Sequence, residues 1–371
     1  MRFWFVLIMS AFTAANILGQ TATSAPTSQL QIALDKKVPQ WLTVFNDISV
    51  AIAYIENGKV AWVSIYGNRF PGGPPADDKT LYSVASLTKP ITAEIILRLA
   101  SARRISLDEP VWPYWIDADV KDSQWTPLLT PRLCLTHQTG FPNWRYQTKN
   151  KLVFQFEPGT KTGYSGEGYE YLARFAEKKT GLSLEELARQ YVFAPTGMKD
   201  TSYTPQAWWT DRQAKPMELG PRTQANAADL LRSTIGDYAK FVVAVLRNEG
   251  VSKEIASERN RITRNLVTPE KESVLCEEAK DPADCKVAAG PGLGWRVVTI
   301  NGETIVDHSG NDGDVKTFAF FVPRQQTGAV IFTNGNDDDF AAIERHQRVI
   351  RKIVGVLRPD RVYLETVNDI L

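Results

Sequence analysis

The sequence predicts an α+β fold, an α/β sandwich with an all-α lobe. One antiparallel sheet is built from both chain ends, and a helical subdomain is inserted between them. Three observations carry this reading. Residues 48–54 and 59–66 are β-rich runs separated by Asn57-Gly58, a strong short-range hairpin signal. Residues 294–300, 303–307, 317–322 and 329–333 alternate or run apolar like strands. Between the two blocks, from Leu87 to about Asn248, helical spacing dominates, and elements segregated in this way build a sheet with a separate helical layer.

Taken in order, residues 1–19 begin with Arg2, continue as the apolar run FWFVLIM and end in small residues, the layout of a secretory signal peptide. Cleavage is expected after Gly19 or Ala22. The apolar part is shorter than the roughly 20 residues that span a bilayer, and no later stretch is longer. The expectation is therefore a secreted or periplasmic protein without stable membrane insertion after cleavage, and no cysteine follows that would carry a bacterial lipid anchor. Residues 28–37 read as a helix that stops before Pro39, and 71–75 as a Pro/Gly loop. Ser183 with Glu186 forms a capping box for a helix running to about Tyr191, and Gly181 ends the helix before it. Residues 252–286 are polar and lack a sustained period, so a surface insertion with one short helix is expected, able to overhang a site. Residues 340–357 read as a closing amphipathic helix and 358–371 as a tail. The chain thus reads as one domain, 28–357. Its α/β part spans about 28–75 and 290–357, its helical part about 80–250, and there is no internal repeat.

Composition narrows the function. With 371 residues, 43% hydrophobic and 23% charged, the chain supports a large core. Its 43 basic and 42 acidic residues are interspersed and leave a net charge of +1, so nucleic acid and anionic membrane surfaces are not expected partners. A small-molecule or peptide substrate fits better. Cys276 and Cys285 share one charged segment and form a candidate disulfide, whereas Cys134 lies in apolar Leu133-Cys134-Leu135 as a core thiol. Neither these cysteines nor the three histidines, His137, His308 and His346, follow a metal-binding spacing. No metal and no cofactor are expected.

The chemistry concentrates in residues 81–99, LYSVASLTKPITAEIILRL. Ser86 and Lys89 stand three apart at a helix start, so both lie on one face. A serine hydroxyl becomes a nucleophile when a nearby base takes its proton, and a lysine amine does so where burial or cationic neighbours favour its neutral form. The first helical turn also has unpaired N–H groups suited to a developing oxyanion. Two more stretches matter: 161–171, KTGYSGEGYEY, and 306–318, VDHSGNDGDVKTF, which follows Gly292-Leu293-Gly294-Trp295. The near-match Gly163-Tyr164-Ser165-Gly166-Glu167 to a G-x-S-x-G elbow fails at Glu167.

Together with SLTK, these stretches resemble the serine β-lactamase and penicillin-binding-protein superfamily. The likeness is closest to the branch containing class C β-lactamases, D-alanyl-D-alanine carboxypeptidases and related esterases. Leu135-Thr136-His137-Gln138-Thr139-Gly140, Pro195-Thr196-Gly197-Met198 and Ser233-Thr234-Ile235-Gly236-Asp237 follow in the family's order, so the likeness runs from about residue 38 to 354. It implies a β-lactamase/transpeptidase-like fold with Ser86 as nucleophile, and Lys89 and Tyr164 sharing its proton. It also implies a His308-Ser309-Gly310 strand beside them, and an oxyanion hole from the backbone N–H groups of Ser86 and Asn311. His308, with an ordinary pKa near 6.5, is expected to be partly charged at neutral pH and to contact substrate by hydrogen bonding. His137 reads as structural, holding residues 138–143, and Trp144 and Gly166 as the site rim. Gly166 replaces the family's motif asparagine, and His308 its motif lysine. Both departures turn the expectation from β-lactamase toward an exported esterase or D-amino-acid peptidase working through acyl-Ser86. β-Lactamase activity and a catalytically silent binder of cell-wall peptides stay open as alternatives, and sequence does not choose the substrate.

Overall fold

The computed structural model describes residues 28–370 apart from Thr210, 215–224, Glu278, Asp314, 336–339 and Asp369. The expected signal segment 1–19 lies outside the described residues. Seven strands form one antiparallel sheet in the order β2-β1-β9-β8-β7-β6-β5. They are β1 Asp47–Glu56, β2 Lys59–Gly67, β5 Val287–Pro291, β6 Arg296–Ile300, β7 Glu303–Asp312, β8 Val315–Val322 and β9 Thr327–Gly335. The N-terminal hairpin docks on the last strand, with Ile52 opposite Ile331, so the two chain ends pair within one sheet. Asn57 and Gly58 both have positive φ, 52° and 65°, as a type I′ turn requires.

Alternation sorts the strand residues between two cores. Val50, Ile52, Phe318, Phe320 and Ile331 face a layer made by the Gln29–Phe45, Phe340–Leu357 and Arg361–Asn368 helices. Ala51, Ala53, Phe321, Val330 and Phe332 face the helical lobe across the Ile235–Leu246 helix. Strands covered on both faces read as continuous apolar runs, as β8 does. A second sheet, β3 Tyr82–Ser83 with β4 Arg232–Ser233, was absent from the sequence reading because two residues carry no period.

Several boundaries differ from expectation. The first helix runs through Pro39 to Phe45, starting at an Ser28 N-cap whose Oγ accepts from the Gln31 N–H. An interior proline costs about 3 kcal/mol, and burial of Leu34, Val38 and Phe45 at about 1.5–3 kcal/mol per large side chain offsets it. The helical pattern also breaks between Ala102 and Ser165, where only short helical turns form. Side chains and loops satisfy the backbone there: the Asp119 carboxylate accepts from Leu152 N–H and the Gly140 carbonyl from Gln155 N–H. The Ser183–Glu186 capping box and the Gly181 helix end are present, but the helix widens after Ala188 into a π-turn, Arg189–Phe193. The strand β5 was unforeseen, and residues 358–371 are more than a tail. The Arg361–Asn368 helix buries Tyr363 and Val367, and the Tyr363 hydroxyl donates to Asp307 Oδ2 at 2.9 Å.

The insertion 252–286 contains two helices, Lys253–Arg259 and Pro269–Cys276, and the Cys276–Cys285 disulfide, while Cys134 is free and buried. It is more than a surface appendage. Arg259 is wholly buried and its guanidinium meets Glu94 Oε1 at 2.8 Å, Val245 O at 2.7 Å and Asn248 Oδ1 at 2.6 Å. Glu94 belongs to the Thr88–Ser101 helix that carries Lys89, so the insertion braces the site from behind. Removing one partner of a buried ion pair leaves an uncompensated charge. Arg259→Ala is therefore expected to lower unfolding free energy by about 3–5 kcal/mol, read as a shifted urea midpoint with an unchanged slope.

Candidate active site

The site is built around a strained turn. Leaving β3, the chain makes a short 3₁₀ turn, Ala85–Leu87, that leads directly into the Thr88–Ser101 helix. Ala85 has φ 47°, a left-handed conformation that a non-glycine residue holds only under outside constraint. The constraints are visible. Thr88 Oγ1 donates to Ala85 O at 2.6 Å, Tyr238 Oη to Leu87 O at 2.7 Å, and Thr317 Oγ1 to Val84 O at 2.7 Å. Lys89 is wholly buried, and its Nζ donates to Ser86 Oγ at 3.0 Å and Ala228 O at 2.9 Å. No carboxylate is ion-paired with Lys89 among the described residues.

The second motif stands over this amine. The Lys89 Nζ lies 4.7 Å from the Tyr164 ring centroid, and Tyr164 is 44% exposed. His137 holds the Tyr164 loop on both sides: its carbonyl accepts the Gly163 N–H at 2.8 Å, and its Nδ1 accepts the Ser165 N–H at 3.1 Å. Its ring lies under that of Tyr164, with centroids 4.4 Å apart. The sequence reading of His137 as structural is right in kind, but the loop it clamps is the one carrying Tyr164. Ser165 N-caps the Gly166–Thr180 helix, accepting from Gly168 N–H at 2.9 Å.

The third motif arrives on β7. Pairing with β6 ends at Asp307, so from His308 onward that edge of β7 has no strand partner among the described residues and lies against the Ala85–Leu87 turn. Gly310 makes the approach possible, because a Cβ there would sit 2.1 Å from Thr317 Oγ1, 2.6 Å from Val84 O and 3.1 Å from the Ala85 Cβ. The His308 ring is 6.2 Å from that of Tyr164 and only 8% exposed. Its Nδ1 lies 2.7 Å from Ser309 O, and since a carbonyl only accepts, Nδ1 carries the hydrogen and Nε2 is an acceptor. Burial first, then the Lys89 charge, pushes the His308 pKa down to about 3. This corrects the expected partial charge: His308 is neutral at pH 7. Burial, Lys89 and His308 likewise hold His137 well below its ordinary value.

Alternation sends the Ser309 side chain away from this face. Its Oγ donates to Ile370 O at 2.6 Å, so any contribution of Ser309 to substrate comes from its backbone. Asn311 likewise turns its side chain aside, to accept from the wholly buried Lys316, whose Nζ also donates to Gly313 O at 2.8 Å. Lys316 escaped the sequence reading, because a single lysine inside an apolar strand has no spacing that marks it. At the rim, the Trp144 ring centroid is 5.8 Å from Lys89 Nζ, and the ring packs against Gly166. Ser86, Lys89, Tyr164, His308 and Trp144, drawn from distant stretches, therefore share one site. A hydroxyl hydrogen-bonded to a buried amine, with a phenol ring over that amine, is an arrangement that can move a proton off the serine.

A family model described as Beta-lactamase matches residues 38–352. The chain belongs to the beta-lactamase family. Within the family it is similar to the D-alanyl-D-alanine-carboxypeptidase/endopeptidase AmpH of Escherichia coli (strain K12), at 23% identity over 362 residues, covering 88% of this chain and 90% of that one. It is also similar to the esterase EstB of Burkholderia gladioli, at 27% identity over 222 residues, 52% of this chain and 56% of the other. Among solved structures, the D-amino acid amidase of Ochrobactrum anthropi shares the fold with a TM-score of 0.71 at 18% identity, over 90% of this chain and 99% of that one. The family comprises serine hydrolases of the β-lactamase-like type, with esterase, carboxypeptidase and amidase relatives.

Two predictions follow from the histidines. His137→Ala releases the Tyr164 loop, and an ångström of misplacement costs about 10²-fold in rate. The expected result is a kcat lower by about that factor with KM little changed. His137→Asn, which tolerates φ 56° and offers an acceptor to Ser165 N–H, restores most of it. For His308, the unfolded imidazole titrates near 6.5 and the folded one near 3. Between these values the unfolded state binds the extra proton, so the stability due to His308 is full above about pH 6.5 and is lost as pH falls toward 3. Thermal midpoints from pH 7.5 to 4 should show a wild-type-minus-His308→Gln difference that shrinks on acidification; a flat difference contradicts the assignment.

Proposed function

We propose that this protein is an exported serine hydrolase that cleaves esters or D-amino-acid amides and peptides through an acyl-Ser86 intermediate. The observation that carries the reading is the 3.0 Å contact between Lys89 Nζ and Ser86 Oγ, in a turn pressed against β7. In this mechanism Ser86 Oγ attacks the substrate carbonyl while Lys89 and Tyr164 take its proton. The Ser86 and Asn311 backbone N–H groups receive the oxyanion, each such donor supporting the transition state by about 2.7–4 kcal/mol. The proton then passes to the leaving alkoxide or amine, and water resolves the acyl-enzyme.

The neutral His308 at the third motif supports the choice of ester or amide over β-lactam, since its only N–H is spent on Ser309 O and its Nε2 accepts, so it offers a substrate carboxylate neither a charge nor a donor. The activities of the relatives, carboxypeptidase/endopeptidase, esterase and D-amino acid amidase, are compatible with it. Export is supported by residues 1–19 and by the Cys276–Cys285 disulfide, which suits an oxidising compartment. No described helix is long and apolar enough to cross a membrane.

A fluorophosphonate and a fluorescent penicillin, with a turnover panel of p-nitrophenyl esters, D-alanyl peptides and nitrocefin, test the reading. Wild-type protein should label with the fluorophosphonate and turn over ester or D-alanyl peptide faster than nitrocefin. Ser86→Ala should not label, and Tyr164→Phe should label about 10²–10⁴-fold more slowly. Labelling that survives in Ser86→Ala, or a wild type inert to both probes, overturns it; the inert result favours a cell-wall-peptide binder.

A further inference from the structure

Gly166 lacks a side chain, and the volume that one would occupy is already filled. A Cβ built on Gly166 would lie 2.7 Å, 2.9 Å and 2.9 Å from three atoms of the six-membered ring of Trp144, closer than any real Cβ contact. Gly166 has no positive φ, so the indole, and not the backbone conformation, excludes a side chain here. The same indole stands 5.8 Å from the amine of Lys89 and is only half-buried, so it reaches solvent at the mouth of the site.

The residues on either side of the indole are also tied down. Asn143, preceding it, accepts the Gly166 N–H on Oδ1 at 2.9 Å and on its carbonyl at 3.0 Å. Arg145, following it, donates its backbone N–H to Glu167 Oε1 at 2.9 Å, and its guanidinium to Glu167 Oε2 at 2.7 Å and Asp117 Oδ2 at 3.1 Å. Trp144 is thus bracketed by two residues tied to the start of the helix that it packs on. A ring immobilised before substrate arrives loses little entropy on binding.

We propose that Trp144 is a specificity-determining residue, whose indole forms an aromatic wall that receives an apolar acyl chain beside Ser86 and disfavours an acylamino chain. The inference rests on the serine-hydrolase reading and names its substrate class: esters with unsubstituted alkyl or aryl acyl groups. An alkyl chain against the ring buries apolar surface. An amide in the same place gives up its water partners, with Gly166 offering no side chain to replace them.

The test compares two p-nitrophenyl esters of nearly equal shape, the pentanoate and the N-acetylglycinate. Wild-type enzyme should prefer the pentanoate in kcat/KM by about 10-fold or more. Trp144→Ala should collapse that ratio toward unity, and Trp144→Phe should keep most of it. Gly166→Ala, whose new Cβ must displace the ring, should lower the ratio while Trp144 is intact and add nothing in a Trp144→Ala background. The Gly166→Ala arm holds even if Trp144→Ala fails to fold. A ratio unchanged in Trp144→Ala or in Gly166→Ala, with Ser86-dependent hydrolysis retained, overturns the wall and leaves the hydrolase reading standing. Absence of Ser86-dependent turnover and of fluorophosphonate labelling in the wild type overturns both.

Discussion

The closeness of β7 to the turn at Ala85 is the constraint on which the site depends. A side chain at residue 310 would collide with Thr317 and the Val84 carbonyl and crowd the Ala85 methyl, so glycine alone lets the sheet edge reach the Ser86 turn. The contact is then reinforced by the Thr317 hydroxyl bonded to Val84 O, which ties β8 to the same turn. The strain at Ala85 is sustained by this packing. With the turn held, Ser86 Oγ stays beside the Lys89 amine and its turn packs on β7.

One buried amine organises the electrostatics of this pocket. Lys89 is surrounded by the Ser86 hydroxyl, the Ala228 carbonyl and the rings of Trp144, Tyr164 and Tyr169. Its influence, added to burial, keeps His137 and His308 uncharged. A charged His308 would have to be desolvated and would meet the Coulombic influence of Lys89 in a low-dielectric pocket. The neutral third motif is therefore a consequence of where the motif strand sits.

Support for the pocket comes from parts of the chain remote in sequence. Arg259 in the 252–286 insertion pairs with Glu94 behind the Lys89 helix, while Tyr363 and Arg296 grip Asp307, next to His308. The insertion and the C-terminal helix thus act as braces for the two elements that must stay in contact. This is why regions that read as appendage and tail are in fact buried.

Local chemistry by itself determined much of this protein. The Asn57-Gly58 hairpin, the apolar strands near both ends, the Ser183–Glu186 cap, the Cys276–Cys285 pair and the Ser86/Lys89 spacing all express forces that act over a few residues, so they were legible in the sequence. The Pro39 helix, the unwound stretch 102–165, β5 and the packed C-terminal helix were not, because burial against distant partners overrode local preference at each. The charge state of His308, the role of Lys316 and the meeting of Trp144 with Gly166 belong to the same class. Only the tertiary structure decided them, because desolvation and steric contact depend on which surfaces meet, and spacing along the chain carries no record of that.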